Sequence, residues 1–390
     1  MRIVLYAAVL LVSAAVTSGL SFLIWRLSMR FRLYPRIRER DVHTRPTPRL
    51  GGIAMFIGIL VAFGIAALIP QFHLVFSEPL RVVGLLGAAL LVVVVGALDD
   101  VWDLDWMLKL VVQIAAAGLL AWSGIQLTTL PIGGVAIVDP WMSLILTVLV
   151  VVLVMNAVNF IDGLDGLVAG VATIAGGVFF VYVYVLQYNN QTDYFNLASL
   201  STAILIGACL GFLPLNFRPA KLFMGDAGAL LVGLMMAAAT ISVTGRIDTS
   251  IVEQPNVLTA YFAPAFIPLL LPLAVLLVPL ADLALAVVRR LSAGKSPFAA
   301  DRKHLHHRLL DLGHSHLGAV LILYAWTFTA SVGVLLFMFL PWWGPVTFLV
   351  AAFALCVVFT LLPIARRRRL VADGHASPDD EIEGNEGAVE

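Results

Sequence analysis

Five short stretches of this 390-residue chain gather side chains suited to polar chemistry, each at the end of an apolar run. The first is Asp41-Val-His43-Thr-Arg45-Pro46-Thr47-Pro48-Arg49-Leu-Gly51-Gly52, a Pro- and Gly-punctuated loop. Its Arg45 and Arg49 could hold anionic groups; plain sorting of basic residues to one side of a membrane is the alternative. The second, Asp99-Asp100-Val-Trp-Asp103-Leu-Asp105 with Lys109 following, crowds four carboxylates into seven residues. They repel one another unless water, a cation or a base relieves them. In a solvated loop that costs little, whereas an Asp pair at the mouth of a membrane helix suits divalent-metal or diphosphate chemistry.

In the third stretch Asn156, Asn159, Asp162 and Asp165 recur every three residues, with Gly163 and Gly166 between and after them. On a helix this spacing winds the four along one face. Capping accounts for one Asp and one Asn, not for four polar residues. The fourth stretch, Lys221-Leu-Phe223-Met-Gly225-Asp226-Ala-Gly228, opens another apolar run. Asp226 there is either an N-cap or an oxygen ligand for Mg²⁺, and Phe223 is either a core residue or a stacking platform for a base. The fifth, Asp301-Arg302-Lys303-His304-Leu-His306-His307-Arg308, continues to His314 and His316, so five of the eight histidines fall within 13 residues. It lacks the Cys or second His pair of a zinc site. Interleaved bases suit phosphate or sugar hydroxyls better. A carboxylate-rich patch beside a basic one fits Mg²⁺ neutralising a diphosphate while Lys, Arg and His hold the remaining charge.

The elements that position these stretches follow from composition. The chain is 61% hydrophobic and 12% charged, with a mean hydropathy of +0.99. Soluble domains carry about twice that charge, so a cytosolic enzyme, a disordered regulator and a secreted disulfide scaffold are excluded. Cys209 and Cys356 lie in apolar runs and read as core residues. The expected fold is an all-α polytopic membrane protein with about eleven spans, near 3–25, 51–70, 81–98, 107–123, 141–158, 167–187, 197–213, 227–244, 258–288, 318–340 and 346–364. The first, followed by an Arg-rich segment, reads as a stop-transfer helix and not a signal peptide. The ninth holds Pro264, Pro268, Pro272 and Pro279 and is expected to bend or break. Thr128–Pro140 is expected to form a short hairpin.

Charge sets the orientation. With the N-terminus outside and the C-terminus cytoplasmic, 21 of the 24 basic residues face inward, and only Arg2, Arg81 and Arg246 stay outside. The five stretches then share the inner side. Residues 1–369 form the membrane catalytic domain, and 370–390 an acidic tail expected to be disordered.

A transporter would place polar residues mid-membrane on interrupted helices, and Asp282 is the main such residue here. An intramembrane aspartyl protease needs Gly-x-Gly-Asp and Tyr-Asp, but position 223 is Phe and no span carries Tyr-Asp. A transferase of CDP-activated alcohols needs an Arg that is missing after Asp165-Gly166. A membrane prenyltransferase matches Asp99-Asp100-x-x-Asp103 but leaves the His-rich loop without a purpose.

In order and on one side, the five stretches resemble the polyprenyl-phosphate N-acetylhexosamine-1-phosphate transferase family over about residues 35–317. His304-Leu-His306-His307-Arg308 resembles the N-acetylglucosamine-1-phosphate branch; the phospho-muramoyl-pentapeptide branch has three consecutive histidines there. Ala229 departs from the Ser or Thr of many members. The resemblance implies a bacterial cytoplasmic-membrane enzyme with UDP-N-acetylglucosamine and a polyprenyl phosphate as substrates. It also implies Mg²⁺ (or Mn²⁺) as cofactor, no nucleic-acid partner, and a homodimer as an open possibility. By the same resemblance Asn159 and Asp226 ligate Mg²⁺, Lys109 binds diphosphate, and Asp165 and Phe223 hold uracil. His304, His306, His307 and Arg308 cover the sugar and phosphates, with Arg45, Asn156 and Asp162 completing the substrate site. Asp99 or Asp100 is the family's base on the lipid phosphate, with orientation of Lys109 or the metal as the alternative.

Overall fold

A computed structural model describes residues 2–31, 47–130, 136–189, 197–244, 267, 270–292, 294 and 305–372. In chain order its helices are α1 (Arg2–Phe31), α2 (Gly51–Ala67), α3 (His73–Phe76), α4 (Pro79–Trp102), α5 (Trp106–Trp122), α6 (Pro140–Ile161) and α7 (Leu167–Asn189). There follow α8 (Leu197–Asn216), α9 (Gly225–Thr244), α10 (Leu277–Ser292), α11 (Leu305–Asp311), α12 (His316–Leu336) and α13 (Trp343–Ala372). The expected hairpin forms from β1 (Thr129–Leu130) and β2 (Ala136–Ile137), paired antiparallel with Thr129 opposite Ile137.

Among the described residues, eight helices are long and apolar enough to cross a membrane, or nine with one bent pair counted as a span. The protein is thus a helical, polytopic membrane protein. The stretch expected at 51–70 does not run straight. α2 stops at Ala67, and the chain turns through 98° into Pro70–Phe76. Pro70, at the start of that segment, has no N–H to extend α2. α5 has 17 residues, about 25 Å of helix, less than a usual span. In the ninth stretch, helical turns over 270–275 are separated from α10 by a turn at Leu276. Pro264, Pro268, Arg45, His304 and the tail 373–390 lie outside the described residues, and the side chain of His306 is likewise not described.

α9 is the most enclosed helix and packs against α2, α4, α6 and α8. Close approach of backbones makes this possible, as is usual where lipid removes the hydrophobic drive between helices. A Cβ on Gly96 of α4 would lie 2.4 Å from Ala227 Cα, and one on Gly52 of α2 would lie 2.2 Å from Gly228 N. The α1 helix joins the bundle against α2 and α8, with Ser13 Oγ donating to Ile204 O at 2.8 Å. α13, by contrast, packs on α12 and keeps most of its apolar surface outward. Both cysteines are buried and unbridged.

Candidate active site

Helix ends from across the sequence converge at one end of the bundle. α4 closes with Asp99 and Asp100 in its last turn and stops where Asp103 adopts the left-handed conformation (φ 54°), its N–H donating to Asp99 O at 2.9 Å. Asp105 then caps α5, accepting from Met107 N at 2.8 Å. Two of the four clustered carboxylates therefore belong to the turn between α4 and α5. The other two face the site.

Asp99 accepts Leu104 N–H at 2.8 Å on one oxygen and Lys109 Nζ at 2.9 Å on the other. The same ammonium stands 3.4 Å from Asp226 Oδ2. Asp99 is 9% exposed, against 26% for Lys109 and 28% for Asp226, so the lysine and Asp226 present the accessible polar surface. Asp100 Oδ1 accepts Asp226 N–H at 3.2 Å, at the positive end of α9. Its second oxygen is buried and has no hydrogen-bond partner among the described residues.

Gly225 makes that approach possible. Its φ is +70°, and a Cβ there would fall 2.2 Å from Asp100 Oδ2 and 2.4 Å from Arg49 O. The segment before α2 lies alongside this loop: Phe223 N–H donates to Pro48 O at 2.8 Å, while Gly51 and Gly52 donate to Phe223 and Met224 carbonyls at 3.0 Å each. Arg49 is thereby set among the carboxylates and acts electrostatically on Asp100 and Asp162. The sequence marked both Arg45 and Arg49 for anion binding, and Arg49 is the one the described structure carries to the site.

Asp162 follows the last turn of α6, its N–H donating to Asn159 O at 3.2 Å. Burial and the neighbouring Asp226 carboxylate raise its pKa to about 7, with Arg49 pulling the other way and Asp165 adding a smaller push upward. Asp165 accepts Ala220 N–H at 3.0 Å. The buried Asn216, at the end of α8, accepts Gly166 N–H at 3.0 Å and donates to Leu222 O at 3.1 Å. One amide thus ties the Asp165–Gly166 turn to the Leu222–Phe223 loop. Sequence reasoning missed Asn216, although a lone Asn closing an apolar run was a usable signal.

Asn156 stands apart from this group. Its amide donates to Gln113 Oε1 at 2.6 Å and Val152 O at 2.8 Å, joining α6 to α5. Asn159, one turn further on, is half-buried at the site end of α6. In the His-rich stretch His307 is half-buried and Arg308 exposed. Leu305 N–H at the start of α11 donates to the buried Asp282 at 2.7 Å, so Asp282 ties that stretch to α10. α10 in turn packs on α6, with the Arg290 guanidinium 5.9 Å from the Phe160 ring. His314 instead contacts Thr360 O at 2.9 Å, linking the segment before α12 to α13.

Fold and site together define a class: a polytopic membrane enzyme whose charged groups meet at one end of a helical bundle. Residues 82–244 match the model of glycosyl transferase family 4. The chain is 39% identical over 346 residues to the decaprenyl-phosphate N-acetylglucosaminephosphotransferase of Mycolicibacterium smegmatis, covering 87% of this chain and 84% of that protein. It is 38% identical over 367 residues to the protein of that name from Mycobacterium leprae, covering 93% and 91%. It is 30% identical over 324 residues to the undecaprenyl-phosphate alpha-N-acetylglucosaminyl 1-phosphate transferase of Salmonella typhi, covering 80% and 79%. The chain belongs to glycosyl transferase family 4.

Proposed function

We propose that this enzyme transfers N-acetylglucosamine-1-phosphate from UDP-N-acetylglucosamine to undecaprenyl or decaprenyl phosphate, giving the polyprenyl-diphospho-sugar and UMP. The reaction is the first membrane step of cell-envelope polysaccharide synthesis. The observation that carries this reading is the Lys109 ammonium held between Asp99 and Asp226 beside the N-terminus of α9. In a chain with such relatives, it is a cation prepared for a diphosphate.

An oxygen of the lipid phosphate attacks the β-phosphorus in line, and the bond to the bridging oxygen breaks as UMP leaves with that oxygen. The sugar C1–O bond stays intact, so the anomeric configuration is retained. Lys109 neutralises charge on the diphosphate. Asp99, with one oxygen on Leu104 N–H and the other on Lys109, orients that ammonium. A base is not demanded, because a phosphomonoester's second pKa is near 6 and it is already largely a dianion at neutral pH. Asp165 and Phe223 hold uracil, and His304, His306, His307 and Arg308 close over the sugar and phosphates.

The oxygen set fits Mg²⁺. Among the described residues, no group of three or more His, Cys, Asp or Glu is arranged to hold a metal alone. Mg²⁺ commonly takes one or two protein oxygens and completes its shell with phosphates and water. Asp226 and Asn159 would hold it, with the unpartnered Asp100 oxygen as a further donor. When bound, the ion neutralises charge developing on the phosphates.

The bent pair, the short α5 and the ninth stretch, added to the eight longer helices, support eleven spans. The concentration of basic residues on the side that carries the five stretches supports a site on the cytoplasmic face of a bacterial inner membrane. The prenyl chain lies beside the broken ninth stretch, where Leu285, Val288 and Leu291 of α10 are exposed. Incubating the purified enzyme with Mg²⁺, polyprenyl phosphate and either labelled UDP-N-acetylglucosamine or labelled UDP-muramoyl-pentapeptide tests the reading. Organic-extractable label from the first donor alone supports it; label from the second alone moves the chain to the other branch.

A further inference from the structure

The Gly166 peptide is held on both sides. Its N–H donates to buried Asn216, and its carbonyl accepts the hydroxyl of Tyr324, which comes from α12 more than 150 residues later. Tyr324 reaches it through a slot left by Gly170 on the first turns of α7. A Cβ on Gly170 would sit 1.9 Å from the Tyr324 hydroxyl and 2.0 Å from Cζ. Gly166 has φ +77°, so the turn between Asp165 and α7 uses a conformation that side-chain-bearing residues rarely adopt. Asp165 immediately precedes this peptide and is itself fixed by Ala220 N–H.

We infer that Tyr324 is a positioning residue for nucleotide recognition, its hydroxyl locking the Asp165–Gly166 turn so that the Asp165 carboxylate faces the base at a fixed angle. This rests on the reading of Asp165 as the uracil-holding residue. A carboxylate on a short turn loses discrimination when the turn can rotate, because a hydrogen bond weakens steeply with angle. α12 thus acts on the donor nucleotide without touching it. The Gly170 slot exists to admit the ring.

Tyr324→Phe keeps the ring in the slot and deletes one hydroxyl. The expected result is a KM for UDP-N-acetylglucosamine raised roughly three- to tenfold, the scale of one lost neutral hydrogen bond. The kcat at saturation and the KM for polyprenyl phosphate stay near wild type, and preference for UMP over CMP as inhibitor falls by a similar factor. Gly170→Ala, which displaces the ring while leaving the tyrosine in the sequence, reproduces the rise in KM. A fall in kcat with both KM values and the UMP/CMP preference unchanged would mean that Tyr324 only stabilises the bundle, and would overturn the inference. Asp165→Ala separates the two levels. If it raises the donor KM while Tyr324→Phe does not, the positioning role alone is lost; if it leaves donor KM and UMP inhibition unchanged, the uracil reading falls and the inference falls with it.

Discussion

Lys109 Nζ stands 2.9 Å from Asp99 Oδ2, across the turn that separates the last residues of α4 from the first of α5. Ten residues of sequence become one charged contact because Asp103 turns the chain and Asp105 restarts a helix. Asp99 is then engaged on both oxygens, which suits a group that aims an ammonium better than one that collects a proton.

Asp99→Asn tests that division of labour. The amide preserves shape but removes the charge-assisted bond, worth about 1.5–3 kcal/mol, so activity should fall by roughly 10- to 150-fold. The pH–rate profile should keep its form. Loss or displacement of the acidic limb of that profile would return Asp99 to the role of base.

Gly225→Ala should cost both activity and stability. Its Cβ has no room beside Asp100 and Arg49, and the residue is left-handed. A strained non-glycine conformation costs on the order of 1–3 kcal/mol before the clash is counted. A lowered Tm in detergent together with lost transfer is expected, and a fully active variant with wild-type Tm would contradict the packing described.

Asn156→Ala should behave as a structural change. Removing the amide leaves Gln113 Oε1 without its 2.6 Å partner, a loss of about 1–3 kcal/mol for a buried acceptor. Thermal stability should drop while the KM for UDP-N-acetylglucosamine holds. Kinetics that show a raised donor KM at unchanged stability would instead put Asn156 on the substrate.

Asp162 gives a pH signature. Its folded pKa, near 7, lies above the ordinary carboxylate value near 4. The folded protein therefore keeps a proton that the unfolded chain has released over this window. The stabilising contribution is full below about pH 4 and is lost as pH rises through 7. In chelator-treated protein, Tm measured from pH 4.5 to 8 should fall less steeply for Asp162→Asn than for wild type, and superimposable curves would refute the assignment.

Much of the architecture was legible because apolar runs at span length leave few alternatives, and α4, α6, α8 and α9 lie within a few residues of where hydropathy put them. The 98° bend after α2 was hidden because Leu68 and Ile69 are as apolar as the helix they end; only Pro70 marked it. Type and spacing picked out Asp99, Asp100, Lys109, Asp162 and Asp226, which the structure brings together at one end of the bundle. They could not separate Asp103 and Asp105, which serve a turn, from the pair that faces inward. Nor could spacing distinguish Asn156, which bonds Gln113 on a neighbouring helix, from Asn159 one turn away. Asn216 left only the mark of a lone Asn closing an apolar run, and Tyr324 left none. Their work is done through Gly166 backbone atoms distant in sequence, and no local pattern encodes that contact.

The most direct measurement follows the two phosphorus atoms of the donor separately. With purified enzyme, Mg²⁺ and polyprenyl phosphate, UDP-N-acetylglucosamine labelled at the β-phosphorus should send its label into the organic phase as lipid diphosphate. Donor labelled at the α-phosphorus should leave all of it in water as UMP. Organic-phase label from the α position, or sugar transferred without the β-phosphorus, would contradict phosphoglycosyl transfer at this site.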